Sequence, residues 1–455
     1  MEDTIAAIST PLGTGGIAII RMSGPQALQL ADAIFRSRAG RPSEFPSHTI
    51  HYGKIVQSGQ VLDEVLLAVF RAPHSYTTEN VVEIHCHGGV VTAQTILTLC
   101  LQHGARLAEP GEFTKRAFLY GRIDLAQAEA VMDLITARTE RAQTLAARTL
   151  EGILSQRLET ICEKLEPLRA EIEANLNFPE DDIPPVDQTK LCQTLDECIS
   201  ILQEILVSAH ETRILKEGVS VVIVGRPNVG KSSLLNALVG KERALVTPFP
   251  GTTRDFIEET IALQGIPVRL IDTAGYRPPR GRIEAAGIQR TLQLVEQSDF
   301  VIHVFDASRP FSELDHKLQK ICSKKSVIPV LNKDDLPRKI RSARYFAEIT
   351  PISVSALTGS GMDTLRTALI KAIQSRFFGF GQTAQEVMVN ERQANLLQGA
   401  QNHIKEARYH CDGSQKLDIV SDEIRRAIDL ISQTTGKSAS NFVIDLVFSR
   451  FCIGK

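Results

Sequence analysis

The feature that most constrains this chain is an octapeptide, Gly225-Arg226-Pro227-Asn228-Val229-Gly230-Lys231-Ser232, directly after the apolar run Val219–Val224. It has the G-x-x-x-x-G-K-S form of a phosphate loop, and its setting predicts a strand before it and a helix after it. The glycines let the backbone curl into a nest of N–H donors around phosphate oxygens. The helix N-terminus beneath adds a favourable dipole. Lys231 is placed to reach β- and γ-phosphate oxygens, and Ser232 to ligate Mg²⁺. The further apolar runs Val268–Ile271, Phe300–Phe305 and Val327–Leu331 alternate with helical segments. That alternation predicts a parallel sheet covered by helices on both faces, over about residues 216–380.

Four more motifs follow in order. Gly251-Thr252-Thr253-Arg254-Asp255 places Thr253 as a second hydroxyl ligand of Mg²⁺ on a switch loop. Asp272-Thr273-Ala274-Gly275 ends a strand. There Asp272 can hold Mg²⁺ through water, and Gly275 lets its amide approach a γ-phosphate. Asn332-Lys333-Asp334-Asp335 matches N-K-x-D, with Asp335 as the discriminating carboxylate. It can accept the ring N–H and the exocyclic amine of guanine. Adenine leaves that carboxylate unpaired, which rejects ATP. Ser355-Ala356-Leu357 completes the base pocket through backbone N–H groups. The expected nucleotide contacts are therefore Asn228, Val229, Gly230, Lys231, Ser232, Ser233, Thr247, Thr252, Thr253, Asp272, Thr273, Ala274, Gly275, Asn332, Lys333, Asp335, Ser355 and Ala356. After D-x-x-G, where Ras-like proteins carry the glutamine that orients water, this chain has Tyr276. Another group must take that task. Glu284 is one candidate, and the start of a solvated helix is the alternative reading of the same residue.

At 455 residues the chain exceeds what one core usually serves. A net charge of −2 neither selects nor excludes a nucleic-acid partner. Met1–Thr10 lacks the basic and apolar regions of a signal peptide, and no run is long enough to span a membrane. The eight cysteines are scattered, which argues for a reducing compartment, simplest read as cytoplasm, and against a disulfide framework. Residues 1–118 read as mixed α/β, with strands at Ile17–Ile20, Val65–Phe70 and Val81–His87 and a flexible turn at Gly13, Gly15 and Gly16. From Asp124, which forms a capping-box pattern with Gln127, helical periodicity runs to about Asn175 and resumes after a Pro-rich acidic turn to about Lys216. After residue 380 the chain is helical again: Ser421 is expected to cap one helix that Gly436 ends, and Asn441–Phe451 forms another. The short tail needs partners for its apolar faces, so residues 119–215 and 381–455 are expected to form one discontinuous helical domain that carries the α/β domain as an insertion.

Segments outside the nucleotide motifs carry a resemblance. Asp3-Thr4-Ile5-Ala6-Ala7, Gly16-Ile17-Ala18-Ile19-Ile20-Arg21-Met22-Ser23-Gly24, Glu83-Ile84-His85-Cys86-His87-Gly88-Gly89, Pro110-Gly111-Glu112-Phe113-Thr114, Asp124–Ala130 and the terminal Phe451-Cys452-Ile453-Gly454-Lys455 resemble the TrmE/MnmE family of tRNA-modification GTPases along essentially the whole chain. The resemblance implies an N-terminal domain that binds tetrahydrofolate, as the 5,10-methylene or 5-formyl form, and makes a homodimer. It implies an FAD-dependent partner, MnmG (GidA), in a heterotetramer that modifies carbon 5 of the wobble uridine of certain tRNAs. It also implies hydrolysis stimulated by K⁺, with Asn228 and Thr252 as side-chain ligands and the backbone carbonyls of Thr247 and Phe249 completing the site. Glu284 matches the family's catalytic glutamate. Arg21, Glu83, Arg122 and Lys455 match its folate positions: three cations suited to the folate carboxylates and one acceptor for the pterin edge. The sequence departs from the family at Arg122, where lysine is frequent. Cys452 matches a cysteine tied to the modification, although a cysteine on an apolar helix is more often packing. His85 and His87 share a strand face without a third ligand and are read as structural.

Two competing readings are separable. A ribosome-assembly, RNA-binding GTPase of the Era type would carry a KH fold with G-x-x-G, and none follows residue 381. A folate-dependent one-carbon transferase with a regulatory nucleotide domain would act without a flavoprotein.

Overall fold

The computed structural model describes residues 3–178, 184–240, 257–272, 291–340, 346, 350–377, 387–411 and 416–455. They divide into two compact units, one built from residues 1–132, 149–201 and 395–455 and the other from 133–148 and 202–394.

The first unit contains a seven-stranded sheet. Its strands are β1 (Ile5–Ile8), β2 (Ile17–Ser23), β3 (Phe35–Arg36), β4 (Thr49–Gln57), β5 (Gln60–Phe70), β6 (Val81–His87) and β7 (Arg106–Leu107), in the order β3-β4-β5-β6-β2-β1-β7. All pairings are antiparallel except β1 with β7. The alternation in β2 and β6 sends Ile20, Met22, Val82, Ile84 and Cys86 into one core with α1 (Ala27–Ile34) and α2 (Val90–Gln102). By period two, Arg21 and Glu83 fall on the opposite face, and the register sets them directly across from each other. The three strands expected from sequence are present, the middle one within the longer β5.

After β7 the chain becomes mainly helical, starting with α3 (Glu112–Leu119) and α4 (Leu125–Thr136). The expected capping box forms: Gln127 N–H donates to Asp124 Oδ1 at 2.8 Å and Asp124 N–H to Gln127 Oε1 at 3.0 Å. The periodicity is not one continuous run. It breaks into α4, α5 (Glu140–Leu150) and α6 (Ile153–Asn177), and Gly152, at φ +93°, supplies the left-handed turn before α6. α7 (Gln188–Glu217) then runs directly into the second unit.

The second unit is built on β8 (Val219–Val224), α8 (Lys231–Val239), β9 (Ile257–Leu263), β10 (Ile266–Asp272), β11 (Phe300–Asp306), α9 (Glu313–Cys322), β12 (Ser326–Asn332), β13 (Ile352–Ser353) and α10 (Met362–Phe377). Its sheet order is β13-β12-β11-β8-β10-β9. All six residues of β8 and all seven of β11 are buried, as expected for strands covered on both faces. Burying one such Val, Ile or Phe side chain stabilises by about 1.5–3 kcal/mol, which makes this core the main determinant of the unit. The sheet is not wholly parallel: β9, which has no strong apolar run of its own, pairs antiparallel with β10 as an edge.

The chain returns through α11 (Glu391–Cys411) to α12 (Leu417–Thr435) and α13 (Asn441–Phe448). Ser421 is not a cap. α12 begins a turn earlier, and the Ser421 hydroxyl is buried and donates to Glu173 on α6 at 3.4 Å. Val420, Ile424, Ala427 and Ile431 form the buried stripe of α12, and Gly436 ends it at φ +88°. A second departure concerns the cysteines: Cys192 and Cys411 form a disulfide with Cα atoms 6.4 Å apart. They are separated by 219 residues, so no local spacing announces the pair. No described helix is long and apolar enough to cross a membrane.

Candidate functional site

The phosphate loop leaves β8 at the centre of its sheet, between β10 and β11, where the C-terminal ends of parallel strands open a crevice. Two glycines are required by geometry. A Cβ on Gly225 would lie 2.5 Å from Val304 O, and one on Gly230, at φ +92°, would lie 2.4 Å from Asn332 Nδ2. Asn228 also holds a positive φ of 64°, a conformation that asparagine tolerates better than most residues. Gly230 offers no side-chain cap to α8, so the first N–H groups of that helix are left for an anion.

Lys231 is buried, and its ammonium donates to the carbonyls of Gly225 (2.9 Å) and Arg226 (3.1 Å). Burial pushes its pKa down from the ordinary lysine value, and the Asp272 carboxylate opposes that. The Ser232 hydroxyl donates to Asp272 Oδ2 at 2.6 Å, which brings two hard oxygen donors to the foot of the loop. The Val229 side chain packs in the core, so this residue faces a ligand through its backbone. Ser233 is exposed on the first turn of α8.

The base-side motif closes on the same loop. Asn332 Nδ2 donates to Val229 O at 2.9 Å, and its Oδ1 accepts from Ala356 N–H at 3.0 Å. Lys333 Nζ donates to Asn228 O at 2.8 Å and to Asp306 Oδ2 at 2.7 Å. The Ser355 hydroxyl donates to Asp335 Oδ1 at 2.5 Å, which fixes that carboxylate at the pocket edge. Asp306 was not singled out by sequence. It is buried at the end of β11, and although burial raises its pKa, hydrogen bonds from Lys333 and Ser308 hold it below the ordinary carboxylate value. A carboxylate closing an apolar strand beside two motif-bearing strands was the available signal. Thr247, Phe249, Thr252, Thr253, Thr273, Ala274, Gly275, Tyr276 and Glu284 lie outside the described residues.

A second cluster gathers in the first unit. Arg21 Nε donates to Glu83 Oε1 at 2.8 Å. The Arg21 guanidinium lies 5.4 Å from the Tyr76 ring centroid and 5.6 Å from that of Phe113, and the Arg122 guanidinium lies 4.6 Å from Tyr76. The C-terminal tail docks here as well. Gly111 N–H donates to Cys452 O at 3.3 Å, Phe451 is buried, and Gly454 approaches Ile8 O closely enough that a Cβ would sit 2.4 Å from it. This carries Lys455 into the same cluster: burial, then the charge of Arg21, lowers its pKa, while Glu83 opposes. Tyr76 and Phe113 were missed by sequence reading, because aromatic residues in loops and short helices have no periodic signature. Cys452 is exposed, in contrast to the packing expected of a cysteine on an apolar helix, because α13 ends before it. His85 and His87 pair with Glu83 (3.5 Å) and Asp63 (2.6 Å), and no metal-binding group of three occurs among the described residues.

Two family models match. One, for the GTP-binding protein TrmE N-terminus, covers residues 4–122, and one for the MnmE helical domain covers residues 125–452. A protein of Geobacillus kaustophilus named tRNA modification GTPase MnmE is 44% identical over 462 residues, covering 100% of this chain and 99% of that one. The chain belongs to the MnmE family. Its relative of the same name in Bacillus subtilis is also 44% identical, with full coverage of both chains. Among solved structures, the G domain of the T. maritima FeoB iron transporter is 29% identical and covers 34% of this chain and 99% of that one, at a TM-score of 0.27, too low to bear on the fold. Members of the MnmE family thus match this chain through the sheet unit, the helices and the nucleotide motifs alike.

Proposed function

We propose that this protein is a GTP hydrolase that acts in tRNA modification. The observation that carries the reading is the convergence on one loop of Lys231, the Ser232–Asp272 pair and the Asn332, Asp335 and Ser355 base pocket. The name shared by full-length relatives supports the tRNA-directed role. Mg²⁺ fits the donor set: Ser232 and Thr253 would ligate it and Asp272 would hold it through water, supplying positive charge to the phosphates. K⁺, held by Asn228, Thr252 and the carbonyls of Thr247 and Phe249, would supply the charge that an arginine finger gives elsewhere. Glu284 is the residue proposed to orient water.

The cluster of Arg21, Glu83, Arg122 and Lys455 suits a tetrahydrofolate: cations for its carboxylates, an acceptor for the pterin and the aromatic rings of Tyr76 and Phe113 beside them. In this reading the folate delivers the one-carbon unit to carbon 5 of the wobble uridine, together with the FAD-dependent MnmG, in a cytoplasmic assembly containing a homodimer of this chain. The domain scheme is an N-terminal folate-binding domain (1–118), a helical domain of residues 119–215 and 381–455, and the GTPase domain (216–380) inserted within it. Packing of α12 on α6 supports that scheme.

GTP turnover in KCl and NaCl at equal ionic strength, across a range of protein concentrations, tests the reading. Strong K⁺ stimulation that steepens with concentration is expected. Equal slow rates in both salts would remove the K⁺ site from the proposal.

A further inference from the structure

The bridge between Cys192 and Cys411 stands apart from the rest of the chain's sulfur chemistry. The other six cysteines are free, five of them buried and Cys452 exposed. One bridge amid free thiols is the pattern of a transient, redox-responsive pair, whereas a small scaffold that depends on disulfides carries several. Neither residue belongs to the two clusters described above. Cys192 lies on the second turn of α7 and Cys411 is the last residue of α11. Their Cα atoms are 6.4 Å apart, a separation that a bridge spans without backbone movement.

Both helices have reasons to stay in place with the bridge open. Leu191 and Leu195 on α7 and Leu397, Ala400 and Ile404 on α11 are fully buried. Beyond the cysteines, Arg408 donates to Asp196 at 3.1 Å and Gln401 Nε2 to Ile199 O at 3.3 Å. Cys411 Sγ lies 3.8 Å from Gln188 O, so a thiol at that position has an acceptor. The two sulfurs differ in access: Cys411 is 4% exposed, whereas Cys192 is only half-buried. A small disulfide or thiol reagent therefore meets Cys192 first.

We propose that Cys192 and Cys411 are a reversible thiol–disulfide site, closed by a disulfide of the glutathione type and reopened by a thiol reductant, with the fold retained in both states. On closing, the Cys192 thiolate attacks one sulfur of glutathione disulfide, forming a mixed disulfide and releasing one glutathione thiol. The Cys411 thiolate then attacks Cys192 Sγ and expels the second. Two protein thiols are oxidised, one glutathione disulfide is reduced, and the two protons end on the glutathione thiols. Closure clasps together the two helices that carry the chain to and from residues 202–394. The site is independent of the nucleotide and folate readings.

The test is titration of the full chain in glutathione buffers from fully reduced to fully oxidised. Samples are quenched with acid, alkylated in denaturant and read by intact mass and peptide mapping, beside circular dichroism and urea unfolding of the end states. Of the eight cysteines, wild type should lose two to alkylation, mapped as Cys192 joined to Cys411, and regain both in the reduced buffer. Circular dichroism should be the same at both ends, and the bridged form should unfold at about 1 M higher urea. Cys411→Ser should take up one glutathione at Cys192, while Cys192→Ser should stay unmodified at the buried Cys411, and neither should show the urea shift. Eight alkylated cysteines in every buffer, glutathione adducts at Cys452 alone, a bridge that the reduced buffer fails to open in the folded protein, or loss of structure on reduction would each overturn the proposal.

Discussion

The two clusters of functional side chains are built in opposite ways. The nucleotide site is assembled from short runs at the ends of β8, β10 and β12, so each contact set is contiguous in sequence and its spacing is dictated by a turn. The cluster in the first unit draws Arg21 from β2, Glu83 from β6, Arg122 from the segment after α3 and Lys455 from the chain terminus, and no two of these share a motif. A site made by turns is specified locally. A site made by strand register and tail docking exists only once the whole unit has folded.

The strongest way to break this comparison is at Lys231. Lys231→Ala should lower GTP turnover by about 10²–10³-fold while folate affinity, measured by calorimetry, stays within twofold or so; a parallel loss of folate binding would show that the sites are not separately built. Next in size, Asp335→Asn exchanges an acceptor for a mixed amide and should weaken GTP by about 100-fold. Competition between GTP and XTP checks it, with relative binding moving toward xanthine, whose ring carbonyl can accept from the new amine.

For the register-built cluster, Arg21→Ala should weaken folate binding about tenfold, by loss of one charge-assisted contact. Gly454→Ala should act in the same direction without removing any charge, because a Cβ there meets Ile8 O and displaces the tail that carries Lys455. GTP turnover measured on the same two preparations should be unchanged. The smallest expected effect is a pH dependence. Lys455 titrates below its usual 10.5, so affinity for an anionic ligand should fall by a few-fold as alkaline pH passes through that lowered value. Stability runs the other way: the unfolded chain keeps the proton to higher pH than the folded one, so folding gains with pH across the window that ends at the unfolded value. Lys455→Met should abolish both trends, which fluorescence binding and denaturant titrations at several alkaline pH values would reveal.

The same contrast explains what was legible in the sequence. Val219–Val224 and Phe300–Phe305 were readable as strands because burial on both faces leaves uninterrupted apolar runs. Asp124 with Gln127 was readable because a capping box is a four-residue signal. β9 was not, since an edge strand needs no such run, and Ser421 misled because a serine inside a helix can satisfy its hydroxyl across to a neighbouring helix. Arg21 and Glu83 were singled out only through family resemblance; their pairing is a matter of register over 62 residues. Tyr76 and Phe113 carried no pattern that distinguishes them from ordinary residues, and the partnership of Cys192 with Cys411 spans far more chain than any spacing rule reads.

Residues on the first-unit halves of α7 and α11 meet in antiparallel order: Cys192 with Cys411, Asp196 with Arg408 (3.1 Å), and Ile199 O with Gln401 Nε2 (3.3 Å). The points at which the chain departs for residues 202–394 and comes back are therefore neighbours on two paired helices. The second unit also takes in residues 133–148, so the chain enters and leaves it twice. Rejoining α7 to α11 with a short loop would therefore remove the longer of its two segments and leave the shorter one without the core it belongs to.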